Sequence, residues 1–495
     1  MSIQGLIFLI YQIIAITAII HVVMDNRQPA KTMAWALVIY FVPVIGIIAY
    51  LVLGVNTRRE RMVSQGSMDQ LTKRSMLEFV EQRDLQLPAA HKPVIDLFVN
   101  QSFSLPFNHN RVDVLCDGYA FFQSLLHDIA SARSHIHIDV YIFEDDALGR
   151  LLSDALIARA RQGVEVRVVY DDVGCWGVKN RFFERMRVEG IEVVPFLPVR
   201  FPTFARKVNY RNHRKIFVID GRVGYIGGMN IALRYVKGRN GRGWRDTMLR
   251  IEGQGVYSLQ RAFLIDWYFV DRTLLSDHKY YPPTSSINPS TSSINPSTSS
   301  LNPQPSSIVP PPSTLLQTVT SAPLAVYPEI MQGYVRIILS ARRYVYIETP
   351  YFLPTDAVFF ALKTAAASGV DVRVLVPRKT DGWFVEWGSR SYLREAQEAG
   401  VRVMLYEAAF LHAKMLVADD SICTCGSTNF DFRSFENNFE SNAFCYGEDL
   451  AMRTKQVFLH DEASSVPLSS LPERMHPGFF VRLGESLARL LSPLL

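Results

Sequence analysis

Residues 212–230 of the chain read NHRKIFVIDGRVGYIGGMN, and residues 411–429 read LHAKMLVADDSICTCGSTN. Both stretches contain the pattern His-x-Lys-x-x-x-x-Asp, and in both an asparagine follows the histidine by seventeen positions, inside a turn of small residues. The matched residues are His213, Lys215, Asp220 and Asn230 in the first copy and His412, Lys414, Asp419 and Asn429 in the second. Chance does not repeat so many fixed positions, so the pattern indicates an internal duplication.

The residues around the two motifs repeat the same order of predicted elements. In each half, short runs rich in Val, Ile and Tyr alternate with amphipathic helical patterns, which is typical of an α/β layered domain. In the first half, strands are predicted at 136–143, 164–170, 191–196 and 213–219, with a helix at 147–162. In the second half, strands are predicted at 344–349, 370–376, 401–406 and 412–418, with a helix at 357–368. We therefore expect two duplicated α/β domains.

Composition separates these halves from the rest of the chain. Residues 284–304 form three heptads, TSSINPS, TSSINPS and TSSLNPQ, whose regular proline and lack of charge predict an extended, disordered spacer. The residues from Pro477 onward carry apolar side chains at helical spacing, which suits a helix docked on the body and an interfacial helix on lipid about equally.

The predicted segments are a transmembrane hairpin at 1–56, a connecting segment at 57–110, a first domain at 111–275, a Ser/Pro-rich disordered linker at 276–325, a second domain at 326–460 and an amphipathic C-terminal tail at 461–495.

Two uncharged stretches near the N-terminus predict the membrane hairpin. Residues 5–24 and 33–55 are each long enough to cross a hydrocarbon layer of ~30 Å as a helix, with a kink expected at Pro43. A cleaved signal peptide is disfavoured, because the first residues lack a positive charge and a second apolar stretch follows directly. Arginines at 58, 59 and 61 follow the second stretch, so the positive-inside tendency places the large C-terminal portion in the cytoplasm.

Charge and cysteine content leave several partner classes open. The formal net charge of +5 favours anionic partners weakly, so nucleic acid, phospholipid and phosphate esters all fit. Five scattered cysteines, an odd number, argue for reduced thiols. Cys423 and Cys425 are expected at alternate positions of a buried strand, because no further His or Cys nearby completes a set of metal ligands. The cysteines therefore do not predict a metal site, and we expect no cofactor.

The two histidines carry the predicted chemistry. Histidine can attack as a free base and donate a proton near neutral pH, but one imidazole cannot do both at once. If the halves pack around a pseudo-two-fold axis, His213 and His412 face each other across one phosphate. One then attacks phosphorus in line, giving a covalent phospho-enzyme, while the other protonates the departing alkoxide and later acts as a base. The residues alone do not say which histidine attacks.

Other residues of the two motifs are candidates for binding the phosphate. Lys215 and Lys414 lie two positions after the histidines, so on a strand they share the histidines' face and can neutralise phosphate oxygens. The turns after the two strands offer further hydrogen-bond donors, namely Asn230, Ser427 and Asn429. Gly228 occupies the position that matches Ser427, so the two sites are not identical.

Acidic residues complete the predicted site. An attacking imidazole needs an acceptor for its other N–H, and Asp246 and Glu440, each downstream of one motif copy, are the candidates. Asp220 and Asp419 belong to the motif itself but lie at an odd offset from the lysines, which puts them on the other face of the strand. We expect these two to cap turns or form ion pairs that hold the halves together.

The two motifs, with their Gly-x-x-Asn turns, resemble those of the phospholipase D superfamily. The stretches at 212–230 and 411–440, the paired apolar segments, ETPYFLP at 348–354 and LARLLSPLL at 487–495 are similar in particular to the bacterial cardiolipin synthase family. The likeness covers nearly the whole chain apart from the spacer.

This resemblance implies a fold, a reaction and a location. The fold would be two α/β/α sandwiches joined face to face about a pseudo-two-fold axis, with no metal needed. The reaction would move a phosphatidyl group from one phosphatidylglycerol to another and release glycerol, with His213 the favoured nucleophile. The protein would be a multi-pass protein of the bacterial cytoplasmic (inner) membrane that meets anionic membrane lipid, with its catalytic domains on the cytoplasmic side.

Three alternatives remain open from the sequence. A phospholipase D would use the same phosphorus chemistry but would let water take the second step, giving phosphatidic acid. A nuclease is disfavoured by the membrane hairpin and by the modest charge, since duplex binding usually brings a concentrated basic face, so we expect no nucleic acid partner. A non-catalytic protein that binds anionic lipid would need to lose a catalytic group, and none is missing.

Overall fold

The computed structural model describes residues 3–25, 29–42, 44–51, 87–199, 210–283, 313–323 and 328–492; the three predicted heptads lie outside this range. Its helices are α1 (Ile3–Asp25), α2 (Pro29–Phe41), α3 (Ile45–Ala49), α4 (Lys92–Ser102), α5 (Gly118–Ser131), α6 (Ala147–Ala160), α7 (Asn180–Val188), α8 (Arg234–Lys237), α9 (Val256–Asp271), α10 (Glu329–Ser340), α11 (Asp356–Ala367), α12 (Trp383–Glu398), α13 (Phe432–Glu436), α14 (Glu448–Ala463), α15 (Pro472–Met475) and α16 (Phe479–Leu490). Its strands are β1 (Phe107–Leu115), β2 (His135–Val140), β3 (Glu165–Asp171), β4 (Glu192–Phe196), β5 (Arg211–Asn212), β6 (Lys215–Ile219), β7 (Val223–Gly227), β8 (Gly243–Arg245), β9 (Met248–Glu252), β10 (Thr314–Ser321), β11 (Tyr344–Glu348), β12 (Phe352–Leu353), β13 (Asp371–Pro377), β14 (Arg402–Tyr406), β15 (Ala409–Leu411), β16 (Met415–Ala418), β17 (Ile422–Gly426), β18 (Phe430–Asp431), β19 (Asn438–Tyr446) and β20 (Ser465–Pro467).

The N-terminal helices form a hairpin only in part. One described helix, over Ile3–Met24, is long and apolar enough to cross a membrane by length and composition. The hydroxyl of Tyr11 in α1 donates to the carbonyl of Ile39 in α2 at 3.2 Å. The second apolar stretch is described as two helices, since α2 ends at Phe41 and α3 begins at Ile45, and the N–H of Gly46 donates to the carbonyl of Val42 at 2.7 Å between them. Pro43 stands between them, and proline lacks the N–H that would continue a helix.

The two halves share one mixed sheet of sixteen described strands. The order along its main path is β20-β14-β13-β11-β16-β17-β19-β10-β1-β9-β7-β6-β2-β3-β4, with β5 attached to β19. Strands β1 and β10 pair antiparallel in the middle, where Phe107 lies opposite Leu316 and Asn110 opposite Thr314. On either side of this pair the strands of each half follow in matching order. The sheet therefore confirms the duplication and its pseudo-two-fold arrangement.

Helices cover both faces of each half. In the first half, α5, α6 and α7 pack on one face of the sheet through residues such as Phe121, Leu152 and Phe182. In the second half, α10, α11 and α12 do the same through residues such as Ile337 and Leu362. Helices α9 and α14 lie on the opposite faces. Each half is therefore an α/β/α sandwich.

A third apolar core joins the two halves face to face. Ile216 and Ile226 of the first half pack in the same cluster as Met415, Cys423 and Cys425 of the second. Both cysteines are buried on β17, at alternate positions as predicted. Because one core is built from both motifs' strands, the two halves are held in a fixed relation to each other.

Several element bounds differ from the predicted segments. The range 276–325, predicted as a disordered linker, contains the buried strand β10 and the short 3-10 helix His278–Tyr280, so that prediction is wrong for these residues. Strand β1 begins four residues before the predicted start of the first domain, and α14 continues past residue 460 to Ala463. The helix α4, in the predicted connecting segment, packs on the second half, where Phe98 contacts Phe444 at 4.5 Å between ring centroids. These elements were missed because their apolar faces are completed by residues distant in sequence.

Candidate active site

Short strands that cross between the halves position both histidines. Strand β5 pairs in parallel with the start of β19, and the N–H of His213 then donates to the carbonyl of Phe439 at 2.9 Å. Strand β15 pairs in parallel with β8, and the N–H of His412 donates to the carbonyl of Arg245 at 2.7 Å. Each histidine therefore directly follows a strand of its own half that pairs with a strand of the other half. The register of this pairing is the same in both copies.

This register brings a carboxylate of the opposite half to each imidazole. His213 Nδ1 lies 3.0 and 3.1 Å from the two carboxylate oxygens of Glu440. His412 Nδ1 lies 2.6 Å from Asp246 Oδ2. The sequence identified both carboxylates, but each follows the motif copy that it does not serve. The crossed pairing appears only when the two halves are assembled.

The carboxylates define which imidazole nitrogen is free. A carboxylate accepts a hydrogen bond, so Nδ1 of each histidine carries the proton and Nε2 keeps its lone pair. Lys414 Nζ also lies 2.9 Å from His412 Nδ1. One nitrogen cannot both donate to Asp246 and accept from Lys414; the shorter contact to Asp246 decides the tautomer, and the ammonium donates to the main-chain carbonyl of His412. Both Nε2 atoms are left to act on a ligand.

Both histidines are neutral near pH 7. Burial lowers the pKa of His213 to about 4, against an opposing attraction from Glu440. Burial, followed by repulsion from Lys414, lowers the pKa of His412 to about 4. Each imidazole also feels the lysine of the other half, which places all four groups in one electrostatic cluster. A neutral imidazole near pH 7 is the form that can attack phosphorus.

The lysines are also shifted by burial. It lowers the pKa of Lys215 to about 7 and of Lys414 to about 8, although Glu440 and Asp246 oppose this. Lys215 Nζ donates to the carbonyl of His213 at 2.5 Å. Two cations held close together in a buried site favour the arrival of an anion, which would restore their charged state.

The carboxylates themselves stay ionised. Burial would raise the pKa of Glu440, but attraction from His213 and Lys215 and hydrogen bonds from His213 and Ser427 lower it overall. Burial likewise opposes ionisation of Asp246, yet Lys414 and His412 lower its pKa. Each histidine therefore has an anion beside it that can stabilise the imidazolium as it forms.

Ser427 does not occupy the role that the sequence predicts for it. Its hydroxyl donates to Glu440 Oε2 at 2.5 Å, and the side chain is fully buried behind that carboxylate. It therefore supports the acceptor of His213 instead of facing a phosphate. The matching Gly228 has no room for a side chain, because a Cβ there would lie 2.1 Å from Asp246 Oδ1. Asp246 has a shorter side chain than Glu440 and lies against the backbone of Gly228. In the second copy, the longer side chain of Glu440 leaves space for Ser427 at the matching position.

Both histidines line one open cavity of about 380 Å³. The exposed fraction of the side chain is 13% for His213 and 9% for His412, so each ring reaches the cavity by an edge. The two imidazoles therefore do not point into separate cavities. The predicted phosphate ligands Asn230 and Asn429 line the same space, whereas Lys215 and Lys414 are buried beneath it.

Asn230 and Asn429 form different hydrogen bonds. Asn230 accepts from the N–H of Ile142 at 3.0 Å and donates to the hydroxyl of Tyr235 at 2.6 Å. Asn429 donates to Asp431 at 3.2 Å, while its buried Oδ1 has no partner among the described residues. Both amides shape the turns at the cavity wall, and either would have to exchange a partner to bind a phosphate oxygen.

The motif aspartates lie away from the cavity. Asp220 is seven residues from His213, about 23 Å along an extended strand. Its carboxylate accepts from the backbone N–H groups of three consecutive residues, Arg133, Ser134 and His135, at 2.7 to 3.0 Å. Asp419 accepts in the same way from residues 342–344. Both are turn caps, as expected, but each holds the start of a strand in its own half and does not join the halves.

Sequence reasoning missed the aromatic and arginine residues of the cavity. Tyr141 lies 5.2 Å from the His213 ring, and Trp244 lies 5.3 Å from the His412 ring. Arg234 and Arg433 line the cavity, and each follows the turn asparagine by four positions. That shared offset was the signal in the sequence. Among the described residues, no group of three or more His, Cys, Asp or Glu side chains is arranged to hold a metal ion.

Comparison with known proteins agrees with this geometry. A family model described as "Cardiolipin synthase, PLD-like domain" matches residues 125–267 and 334–462, and one described as "Phospholipase D-nuclease N-terminal" matches residues 13–54. A cardiolipin synthase of Oceanobacillus iheyensis is 35% identical over 99% of this chain and 98% of its own length. The major cardiolipin synthase of Bacillus subtilis is 35% identical over the full length of both chains. A crystal structure of phosphatidylserine synthase from Haemophilus influenzae shares the fold, with a TM-score of 0.59, 15% identity and coverage of 82% of this chain and 99% of the other. The chain therefore belongs to the cardiolipin synthase family of phospholipase D-like proteins.

Proposed function

We propose that this protein is a cardiolipin synthase that transfers a phosphatidyl group from one phosphatidylglycerol to another through a phosphohistidine, releasing glycerol. One observation carries the proposal: both imidazoles reach a single cavity, each held by a carboxylate of the opposite half. The names of relatives that match the whole chain support the same activity. Hydrolysis, nuclease action and passive lipid binding have no comparable support.

The first step uses His213 as the nucleophile. Its Nε2 lone pair forms a bond to phosphorus while the bond from phosphorus to the glycerol oxygen breaks. His412 gives its Nε2 proton to that oxygen, and glycerol leaves. The anionic diester raises the pKa of both imidazoles from about 4, because its charge offsets the cost of burial, so His412 can bind the proton that it delivers. Lys215 and Lys414 neutralise the non-bridging oxygens as charge develops.

The second step reverses the roles. Neutral His412 removes the proton from a hydroxyl of the second phosphatidylglycerol, whose oxygen attacks phosphorus opposite His213. The bond between phosphorus and Nε2 breaks, and the electron pair returns to His213. Glu440 stabilises the imidazolium of His213 and Asp246 that of His412, so neither step leaves an unpaired buried charge.

We infer that the enzyme acts at a membrane, with its catalytic domains on the cytoplasmic side. Helix α1 is a candidate span, and the arginines at 58, 59 and 61 favour a cytoplasmic location for the two domains after them. At the other end of the chain, α16 exposes an apolar stripe that is suited to lie on lipid: Phe479, Phe480, Leu483, Leu487 and Leu490. Its opposite face packs on α12. Anionic lipid is therefore both the expected surface and the expected substrate.

A product and trapping experiment tests this function. Full-length protein in phosphatidylglycerol vesicles should convert two labelled lipids into one cardiolipin and one glycerol. Rapid denaturation at neutral to mildly alkaline pH, where a phosphorus–nitrogen bond survives, should trap the label of a phosphorus-labelled donor on His213, and His213→Ala should abolish it. Asp220→Asn serves as a control in the same motif but outside the cavity. Phosphatidic acid as the main product would identify a hydrolase instead, and label on His412 would reverse the assigned roles.

A further inference from the structure

The cavity contains more positive charge than one phosphate requires. Besides the histidines, it is lined by four arginines: Arg211, Arg234, Arg239 and Arg433. Arg234 and Arg433 are copies of one another, since each follows its turn asparagine by four positions. The duplication thus gives one arginine to each end of the cavity, beyond the central histidine pair.

At the His412 end, two aromatic side chains separate Arg234 from the imidazole. Its guanidinium lies 5.8 Å from the ring centroid of Trp244 and 5.6 Å from that of Tyr235. These rings lie 5.3 and 6.0 Å from the His412 ring. The guanidinium also forms an ion pair with Glu144. Stacking and pairing fix Arg234 in place, so it is a preorganised ligand and not a mobile surface charge.

The same end presents a second, uncompensated cation. Arg239 stands on a tight turn closed by backbone hydrogen bonds with Arg242 at 2.9 and 3.1 Å. Its side chain is exposed at the cavity, and no carboxylate pairs with it among the described residues. Asp381, which also lines the cavity, accepts a hydrogen bond from Tyr351 at 2.7 Å. The guanidinium of Arg239 is therefore available to an anion.

At the His213 end, a carboxylate neutralises the charge of Arg211. There, Arg211 lies 3.3 Å from Asp171, and both side chains are almost fully buried. A buried pair of opposite charges attracts a further anion much less than an exposed single cation does. The two ends therefore differ although the fold is duplicated, because the exposed guanidinium of Arg239 lies at the His412 end.

The chemistry of the second step needs an anion site at this place. The attacking hydroxyl enters in line from the His412 side, and in phosphatidylglycerol that hydroxyl is attached to a glycerol whose other end carries a phosphodiester. We propose that Arg234 and Arg239 form a second phosphodiester site that binds the non-reacting phosphate of the acceptor lipid, an assignment that rests on the proposed function. Binding this phosphate positions the acceptor hydroxyl against phosphorus. Water and free glycerol carry no phosphate and do not receive this help, so the site favours transfer to lipid over hydrolysis.

A competition between acceptors tests the second site. Full-length protein in vesicles with a trace of fluorescent phosphatidylglycerol as donor is given unlabelled phosphatidylglycerol and a fixed concentration of deuterated glycerol. Labelled cardiolipin, deuterium-exchanged phosphatidylglycerol and phosphatidic acid then report how the phospho-enzyme divides among lipid, glycerol and water. Glycerol offers the same hydroxyl without the phosphate, so the ratio of cardiolipin to exchanged lipid isolates recognition of that phosphate.

The expected result is a loss of preference for the lipid acceptor. Arg239→Ala should lower the ratio of cardiolipin to exchanged lipid at least tenfold, and Arg234→Ala/Arg239→Ala should lower it further. Arg242→Ala removes an exposed arginine of the same turn that does not line the cavity, so it is the matched control and should leave the ratio within about twofold. An unchanged ratio in Arg239→Ala, or an equal fall in Arg242→Ala, would overturn the assignment. If the wild-type protein transfers to neither lipid nor glycerol, the proposed function fails, which is a distinct outcome.

Discussion

Gly228 and Ser427 occupy the same position in the two motif copies, yet they cannot be exchanged. A side chain at Gly228 would meet Asp246, whereas Ser427 donates to Glu440. We expect Gly228→Ser to push Asp246 away from His412 and to lower kcat by about 10²- to 10⁴-fold, the range seen when the orienting carboxylate of a histidine is lost. Initial rates of cardiolipin formation measure this, with the thermal unfolding midpoint recorded in parallel.

The reverse change is the matched control. Ser427→Gly removes one hydrogen bond to a buried carboxylate without a steric clash, so we expect a fall of only about tenfold. A folded Gly228→Ser protein with the wild-type rate would show that Asp246 does not need to hold His412.

The pKa values of the histidines and lysines predict a bell-shaped dependence of kcat/KM on pH. Below about pH 4, protonation of His213 removes the attacking lone pair, so the rate falls with falling pH. Rising pH lowers the rate in two ways: His412 must take up the proton that it delivers in the first step, and above about pH 7 to 8 Lys215 and Lys414 lose the charge that binds phosphate. Because kcat/KM reports the free enzyme, assays below KM from pH 3.5 to 9.5 measure both limbs.

Glu440→Gln tests which groups set the two limbs of the pH dependence of kcat/KM. Glu440 raises the pKa of both His213 and Lys215, so its neutralisation should shift both limbs to lower pH. An alkaline limb that stays in place would mean that Lys215 does not set it.

At the scale of single elements, helix α16, whose role the sequence leaves open, packs against the rest of the protein. Gly484 lies against Trp387, whose ring would be only 2.0 Å from an added Cβ. Glu485 pairs with Arg394 at 2.8 Å, and Arg489 pairs with Glu395 at 2.7 Å. The sequence left docking on the body and lying on lipid as equal alternatives; the structure shows docking by one face, with the other face exposed.

Gly484→Leu should therefore undock this helix. Overpacking of this kind costs about 1–3 kcal/mol, which should lower the unfolding midpoint and expose the residues after 476 to protease. Ser486→Leu, on the exposed side of the same helix, is the control and should change neither measurement. Equal effects of the two substitutions would contradict the packing of α16 through Gly484.

At the scale of the whole molecule, the halves are joined by contacts that do not involve the heptads. Arg245, beside Asp246, pairs with Asp461 at 2.7 Å. Arg214, beside His213, donates to the carbonyl of Glu440 at 3.1 Å. Together with the β1–β10 pair and the shared core, these contacts fix the crossed strands of the active site.

Cleavage of the chain between the halves should consequently leave the enzyme active. A specific protease site introduced within residues 284–304 should be cut with retention of more than about half the activity, because two large matched surfaces remain buried against each other. Synthesis rate and co-elution of the two fragments measure this. Either half produced alone should be inactive, since each histidine would lack its carboxylate; an active single half would refute the crossed site.

The sequence by itself determined the duplication, the alternation of strands and helices, and the residue types of the site. Periodicity and motif spacing are local properties, so His213, His412 and the family likeness are readable without a fold. The tertiary structure decided that Glu440 serves His213 and Asp246 serves His412, that Ser427 supports a carboxylate instead of a phosphate, and that residues 314–321 form a central strand. The two histidine–carboxylate pairs join residues more than 150 positions apart, and their free energy comes from burial and hydrogen bonds formed only once the halves meet.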